Sequence, residues 1–196
     1  MRHGWDSRTI MGGRLKRLSA FFLLGLAWAQ TLSAAPPMTP VSVPFGEGAD
    51  PEARGAARMV GNILEYTRWP TPPEQVGICV IGPTRHGSRL GDISLPDGTP
   101  VARYLLAPDT DIVPDLCNAL YLGNLDPDEM QRWTTTVRGA PIVTIAENDP
   151  ACRSEAMFCL VFLEDAMAFQ LNIDAVSRSG VRIDPRVLRM SQGGYD

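Results

Sequence analysis

Histidine is nearly absent from this chain of 196 residues, which contains only His3 and His86. A serine or cysteine nucleophile needs a nearby base, and in triad-type enzymes that base is a histidine. His86 lies in a polar stretch rich in glycine and arginine, where we expect a solvated surface side chain. The sequence therefore gives no support for nucleophilic catalysis, and we predict that the protein is not an enzyme.

Lysine is rarer still, and phosphate-binding motifs are missing. The only lysine is Lys16, and residues 36–196 carry 13 arginines against 21 aspartates and glutamates, so their formal net charge is −8. A chain this acidic repels nucleic-acid backbones, and we predict no nucleic-acid partner. Neither G-x-G-x-x-G nor G-x-x-x-x-G-K occurs, so a nucleotide loop is unsupported. The candidate carboxylate pairs are Glu164–Asp165 and Asp109/Asp111. Glu164 and Asp165 are adjacent in a turn, so we expect them to point apart into water, whereas general acid–base catalysis needs carboxylates in a partly dry cleft.

The first 35 residues have the pattern of a secretory signal peptide. A basic stretch that ends at Arg17 precedes an apolar run over residues 18–29, and small residues close it. An apolar run this short does not span a bilayer comfortably. We predict cleavage near Ala34 and export from the cytoplasm, with an uncleaved N-terminal anchor as the alternative. The predicted organisation is then a signal peptide over 1–35, a flexible lead-in over 36–49, one domain over 50–191 and a tail over 192–196.

The four cysteines, Cys79, Cys117, Cys152 and Cys159, all follow the predicted leader, and none forms a C-x-x-C pair. The absence of that spacing argues against zinc and against a redox-active pair. An even number of cysteines in an exported chain favours two disulfides. Three pairings are possible, and proximity in sequence favours Cys152 with Cys159, which leaves Cys79 with Cys117. We predict no metal and no cofactor.

Short apolar runs alternate with helical patterns along the chain. Apolar residues at helical spacing predict a helix that begins at Asp50 and is stopped by Trp69-Pro70. Asp126 and Pro127 begin another helix as cap and first residue. Apolar runs bounded by turn residues predict strands over 76–82, 101–107, 117–123 and 141–146. This alternation is typical of an α/β fold, and we predict a single layered domain with a mostly parallel sheet flanked by helices.

The most informative stretch covers residues 158–190 and reads F-C-L-V-F-L-E-D-A-M-A-F-Q-L-N-I-D-A-V-S-R-S-G-V-R-I-D-P-R-V-L-R-M. Its first half predicts a fully buried strand, a turn at Glu164–Asp165 and a half-buried strand, which together make a C-terminal β-hairpin at a sheet edge. Asp174 is the expected cap of a short helix that Gly180 ends. Asp184 and Pro185 then begin a final helix.

This stretch resembles the C-terminal signature of the YfiR-like family, F-x-I-N-x-x-A-x-x-x-G-L-x-I-x-S-x-L-L-x-L-A. Pro185 stands where the family usually has serine, and Met190-Ser191 stands where it has Leu-Ala. A helix that ends in Trp69-Pro70 and the strand I-C-V-I-G followed by Leu90 are further shared features. The resemblance covers roughly residues 50–190. The matching positions of the signature are Phe169, Leu171, Asn172, Ala175, Gly180, Val181, Ile183, Val187 and Leu188.

The resemblance implies a periplasmic regulator that acts by protein contact. Members of the family bind the periplasmic sensor domain of an inner-membrane diguanylate cyclase and hold it inactive, which lowers cyclic di-GMP and biofilm output. An OmpA-like outer-membrane lipoprotein can sequester them, and they tend to form homodimers. The resemblance implies the same disulfide pairing that proximity favours. The expected partner surface combines the loop between the last two cysteines with arginines of the signature: Arg153, Glu155, Met157, Phe158, Arg178 and Arg182.

Two other functions compete with this interpretation. The first is a periplasmic small-molecule-binding protein of a signalling or uptake system. Doubly wound folds bind ligands at the carboxyl ends of their strands, which places such a ligand near Gly82 and Gly123. The second is a thiol–disulfide enzyme, which the cysteine spacing disfavours because reactive pairs usually occur as C-x-x-C at a helix start.

Overall fold

The computed structural model describes residues 42–107, 110 and 116–189. The predicted leader with its cleavage site near Ala34, the alternative N-terminal anchor and the tail lie outside the described residues, as do Asp109, Asp111 and Met190. Within the described ranges, no helix is both long enough and apolar enough to cross a membrane.

Nine strands and three α-helices make up the described part of the chain. The strands are β1 (Ser42–Pro44), β2 (Thr67–Arg68), β3 (Val76–Ile81), β4 (Val101–Leu106), β5 (Ala119–Leu122), β6 (Val143–Ala146), β7 (Phe158–Phe162), β8 (Ala166–Leu171) and β9 (Arg182–Ile183). The helices are α1 (Pro51–Glu65), α2 (Pro127–Thr136) and α3 (Ile173–Ser177). Two short 3-10 helices cover Gly87–Asp92 and Pro185–Arg189.

Seven of the strands form one mixed sheet in the order β1-β8-β7-β6-β5-β3-β4. The strands from β7 to β4 run parallel to their neighbours. β8 pairs antiparallel with β7 and, on its other side, with β1. The predicted α/β fold, with a mostly parallel sheet and a C-terminal hairpin, is therefore confirmed. β2 and β9 form a separate antiparallel ribbon.

Two apolar cores lie on opposite faces of this sheet. On β3, Ile78 and Val80 pack with the buried side of α1, whereas Cys79 and Ile81 pack with residues of α2 such as Trp133. Because both faces are covered, every residue of β3, β5 and β6 is buried, and most of their side chains are apolar. This is the physical reason that they could be found as unbroken apolar runs.

Asp50 and Asp126 cap α1 and α2 as expected from the sequence. The Asp50 carboxylate accepts the Ala53 N–H at 3.3 Å, and the Asp126 carboxylate accepts the Glu129 N–H at 2.8 Å. Each acceptor satisfies one of the backbone donors that the first turn of a helix leaves free. Both helices therefore begin at their proline, at the position where a missing N–H has no intrahelical partner.

α1 ends at Glu65, and the expectation that it runs to Trp69-Pro70 was wrong. The Thr67 hydroxyl donates to the Ile63 carbonyl at 2.8 Å, which satisfies one of the free carbonyls of the last turn. The backbone is then free to become extended, and Thr67 and Arg68 pair with Ile183 and Arg182. A contact with a strand more than a hundred residues later decides where the helix ends.

Three local expectations also differ from the structure. Ser42–Pro44, within the expected flexible lead-in, forms the edge strand β1. Asn172 caps α3 by accepting the Ala175 N–H at 3.0 Å, in place of Asp174. The final helix is a 3-10 turn in which Val187 is buried and Leu188 is 46% exposed. In the last two cases the sequence offered two nearby candidates, Asn172 or Asp174 as the cap and Val187 or Leu188 as the buried residue, and the fold selected one of each pair.

Candidate functional site

Two disulfides hold the domain together, in the pairing that was predicted. Cys79 bonds to Cys117 and Cys152 bonds to Cys159, and the Cα atoms are 5.5 Å apart in both pairs. The first bond links β3 to the residue two before β5, inside the core that α2 covers. The second bond ties the loop after β6 to β7. The structure describes no free cysteine.

The loop between Cys152 and Cys159 is a tightly fixed corner. Cys152 and Glu155 both have left-handed backbone angles, with φ values of 48° and 61°. The buried Asp149 carboxylate accepts the Ser154 N–H at 2.7 Å, and the Ser154 carbonyl accepts the Thr134 hydroxyl at 2.6 Å. These bonds fix the loop to the end of β6 and to α2. Any surface that the loop presents to a partner is therefore pre-organised.

Glu155 is the centre of an ion-pair network at this corner. Its Oε2 lies 2.6 Å from Arg138 Nη2 and 3.3 Å from Arg178 Nη2, and Arg178 also pairs with Asp174. Exposed pairs of this kind contribute little to stability singly. Their effect is to hold the Arg178 guanidinium between two carboxylates, and so the expected surface is only partly basic.

The expected partner surface needs a correction. Met157 is 4% exposed and Phe158 is 0% exposed, because both side chains belong to the core under α1. Neither can contact a partner in this fold. The structure brings Glu155 and Arg178 into direct contact, whereas Arg182 lies on β9, in the separate ribbon. Arg153 lies within the loop between Cys152 and Cys159, and its side chain is exposed.

The ribbon contains a residue that the sequence analysis missed. Arg68 on β2 is the direct cross-strand partner of Arg182, and both side chains are exposed. Thr67 and Ile183 occupy the opposite face, toward the domain. No local pattern marks Arg68, because its neighbour is far away in sequence. We use the term ribbon arginines for Arg68 and Arg182.

A second polar centre lies at the carboxyl edge of the parallel sheet and was also missed. Glu147, directly after β6, is 4% exposed. Its Oε1 accepts the His86 N–H at 2.6 Å and the Tyr121 hydroxyl at 3.1 Å, and its Oε2 accepts the Arg85 N–H at 3.0 Å. Burial and the neighbouring carboxylate of Glu147 raise the pKa of Tyr121 well above its usual value. The carboxylate thus fixes the turn after β3.

His86 is not the solvated side chain that was expected. Its ring stacks on Phe162 with 4.1 Å between the centroids, and its Nδ1 lies 3.1 Å from Glu52 Oε2. The side chain is only 12% exposed. This histidine joins the first turn of α1 to β7, and its environment gives it a structural role at the sheet edge.

The positions next to Gly82 and Gly123 are filled by protein. A Cβ on Gly82 would lie 2.3 Å from a methyl carbon of Leu125, and one on Gly123 would lie 2.4 Å from the Pro83 carbonyl oxygen. A cavity of about 220 Å³ does open nearby, between the Arg85–His86 turn and Glu147. A larger cavity, about 390 Å³, lies at the other end of β3, with walls from Leu64, Arg68, Trp69, Val76 and Leu95.

The described residues show no cluster suited to a metal. Within ranges 42–107 and 116–189, no three His, Cys, Asp or Glu side chains come close enough together to hold an ion. The four sulfur atoms are engaged in disulfides.

Comparison with protein families gives one match that covers most of the domain. The model of a family described as YfiR/HmsC-like matches residues 54–192. The matched segment includes both disulfides, the loop between Cys152 and Cys159, and the ribbon arginines. It begins within α1 and extends through the C-terminal signature. The chain belongs to the YfiR/HmsC-like family.

Proposed function

We propose that this protein is a periplasmic regulator that binds the sensor domain of an inner-membrane diguanylate cyclase and represses it. The proposal rests on one observation, the family match over residues 54–192. Repression would lower cyclic di-GMP in the cytoplasm and, with it, biofilm output. The protein would be exported by its predicted leader and would act without catalysing a reaction.

The architecture supports regulation by contact. Two disulfides and two covered sheet faces make a rigid body, and a rigid body can bias a flexible partner at low entropic cost. A sensor domain with two arrangements shifts strongly when a ligand favours one of them by a few kcal/mol. Binding to the inactive arrangement alone is therefore sufficient, and no chemistry is needed at the interface.

The proposed contact surface contains Arg153, Glu155 and Arg178 beside the second disulfide, together with the ribbon arginines. We propose further that the protein forms a homodimer, and that an OmpA-like outer-membrane lipoprotein competes with the cyclase for it. Competition of this kind would relieve repression without any change in the amount of the protein.

The first test is the level of cyclic di-GMP in cells that lack the protein and in the same cells with it restored. We expect a rise on deletion and a return on restoration. Deleting the diguanylate cyclases one at a time in the deletion strain should then identify the one whose loss removes the rise. An unchanged level under several envelope conditions would contradict the proposal.

A matched pair of variants separates the surface from the fold. Arg153→Glu should weaken repression, because this exposed arginine lies in the proposed surface. Arg132→Glu on α2, whose side chain is 74% exposed and lies outside that surface, should leave repression unchanged. If the two variants weakened repression equally, the effect would come from the net charge of the protein, and the proposed contact surface would be wrong.

A second candidate function is the binding of a small molecule. The observation that favours it is the cavity of about 390 Å³ beside β2 and β3, since ligand pockets are typically about 300–1,000 Å³ and mostly apolar. Trp69 and Leu95 supply apolar walls, and Arg68 supplies a charge. A thermal-shift screen with amino acids, nucleotides and siderophore-like compounds tests it, because a specific ligand raises the melting temperature saturably. A screen in which no compound raises the melting temperature would exclude this second candidate function.

A further inference from the structure

β4 (Val101–Leu106) is the last strand on one side of the seven-stranded sheet. It pairs with β3 on its inner side, and no other described strand lies on its outer side. The strand at the opposite edge of the sheet, β1, differs from β4 in length and sequence. There β1 is only three residues long and ends in Pro44, whose carbonyl accepts the Arg58 guanidinium at 2.7 Å. One edge of the sheet is thus a three-residue strand that ends in proline, and the other is a six-residue strand.

The register with β3 shows which backbone groups of β4 face outward. Val76 is the partner of Val101, and the Val76 N–H donates to the Pro100 carbonyl at 2.9 Å. In a parallel ladder, alternate residues of a strand bond to the same neighbour. The even-numbered residues of β4 therefore bond to β3. The N–H and C=O groups of Val101, Arg103 and Leu105 point away from the sheet.

The side chains on this edge protect it only in part. Natural edge strands are often short or carry a bulge, a proline or charged residues, especially lysine. V-A-R-Y-L-L is six residues long, has neither a lysine nor a proline, and carries one charge, Arg103. Leu105 is 71% exposed, which is unusual for a large apolar side chain in a strand. Arg103 is exposed as well, and its Nη1 donates to the carbonyls of Gly87 and Ser88 at 3.0 and 3.1 Å.

These bonds fix the position of the Arg103 cation at an edge on which the structure describes no further strand. Its guanidinium is held against the 3-10 helix Gly87–Asp92, and the structure describes no carboxylate paired with it. Arg103 and Leu105 are two residues apart, so their side chains lie on the same face of the sheet. An added strand would therefore meet an arginine and, two residues along, an exposed leucine.

From this edge we infer that β4 accepts an extended segment of the partner protein as an eighth strand of the sheet. That segment carries an acidic residue opposite Arg103 and an aliphatic residue opposite Leu105, and its backbone bonds to Val101, Arg103 and Leu105. The inference rests on the proposed function, since the segment belongs to the cyclase sensor domain. A second copy of this chain fits less well, because antiparallel pairing centred on β4 would place Arg103 opposite Arg103.

The test removes one backbone N–H group that points away from the sheet, that of Leu105. Leu105→Pro removes the Leu105 N–H, which does not bond to β3, and proline is tolerated in an edge strand at such a position. Leu105→Thr keeps the N–H and removes most of the apolar surface. We expect the proline variant to lose repression of cyclic di-GMP, the threonine variant to lose part of it, and Leu188→Thr, at another exposed leucine, to keep it. Urea unfolding of each purified variant shows whether it folds.

The direct readout is amide hydrogen exchange in the presence of the purified periplasmic domain of the cyclase identified by deletion. We expect slower exchange at Val101, Arg103 and Leu105 in the complex. Arg103→Glu should weaken binding, and Lys or Arg at an acidic position of the partner segment should restore it. The charge swap distinguishes a paired strand from a general loss of surface charge.

The outcomes distinguish a failure of the strand-addition inference from a failure of the proposed function. If the wild-type protein fails to lower cyclic di-GMP, the proposed function is wrong. If the wild-type protein represses and folded Leu105→Pro represses equally well, the strand-addition inference is overturned and the function stands. If Leu105→Pro changes only self-association, measured by sedimentation without partner, the occupant is a second copy and the inferred partner strand is wrong.

Discussion

Arg68 and Arg182 face each other directly across the β2–β9 ribbon. Like charges at opposed positions destabilise an antiparallel pair. The Arg68 guanidinium donates to the Glu65 carbonyl at 2.6 Å, which offsets part of the repulsion between the two charges. No ion pair with a carboxylate is described for either guanidinium. A pair that costs stability and remains exposed is a natural contact for the acidic groups of a partner.

Arg182→Glu should therefore make the isolated protein more stable. An opposite-charge pair replaces a like-charge pair, and we expect the free energy of unfolding to rise by roughly 0.2–1 kcal/mol in low salt. Urea unfolding measures the change, and added salt should reduce it. Arg153→Glu, which has no cross-strand arginine, is the control. A fall in stability would mean that the two guanidinium groups are held apart.

The two disulfides should differ in their contributions. The bonded residues are 38 apart in Cys79–Cys117 and 7 apart in Cys152–Cys159. In the chain-entropy model, removing the first bond by a double alanine substitution should cost about 4 kcal/mol, and removing the second about 2.5 kcal/mol. Urea unfolding of both double variants tests the order. The second variant should also loosen repression, because its loop belongs to the proposed surface. Equal losses would point to residual structure in the unfolded chain.

Glu147→Gln should destabilise the carboxyl edge. Both carboxylate oxygens accept N–H donors, and a glutamine must turn its own NH₂ toward one of them. An unsatisfied buried donor costs about 1–3 kcal/mol. The matched control is Glu164→Gln in the exposed turn before β8. Thermal unfolding compares the two variants, and an equal, small change in both would show that Glu147 can be replaced without loss.

The Tyr121 hydroxyl should ionise only well above the usual pKa of a tyrosine. Burial and Glu147 raise its pKa in the folded protein, whereas in the unfolded chain it titrates near 10.0. The stability that this tyrosine contributes is complete below pH 10 and is lost as the pH rises toward the folded value. Ultraviolet difference spectra should follow this ionisation together with alkaline unfolding. Tyr121→Phe should remove that part of the pH dependence, and an early-titrating Tyr121 would contradict the buried hydrogen bond to Glu147.

Asp184 should make the protein sensitive to acid. Hydrogen bonds from the Arg186 side chain and backbone lower its pKa from 3.8 to about 2. A lowered pKa contributes stability above the unfolded value, and this stability is lost as the pH falls from near 3.8 toward 2. Asp184→Asn should flatten the stability profile in that window. Carboxyl chemical shifts measured by NMR during an acid titration give the pKa directly, and a midpoint near 3.8 would exclude the contact with Arg186.

Much of the framework could be read from the sequence because it depends on local signals. The parallel strands were visible as apolar runs, since both faces of the sheet are covered, and the cap-and-proline pairs at Asp50 and Asp126 gave the starts of α1 and α2. The pairing of Cys152 with Cys159 was favoured by proximity. The family signature at the C-terminus was present as a contiguous pattern.

The candidate sites were harder to predict, because their residues meet only through the fold. In the sequence, Glu147 does not differ from any other polar residue that follows a strand. Only the fold brings Arg85, His86 and Tyr121 within hydrogen-bond distance of its carboxylate. Met157 and Phe158 looked available beside a loop, but the register of β7 turns them into the core.

The sequence by itself determined the class of fold and the family, since hydrophobic period, capping and signature residues act over short distances. It favoured one of the three possible cysteine pairings, and the structure shows that pairing. Only the tertiary structure decided that α1 stops at Glu65, that Arg68 opposes Arg182, and that β4 is the last described strand on one side of the sheet. These features depend on which strands become neighbours. Strand order follows from burying both faces of the whole sheet at once, and no short segment contains that information.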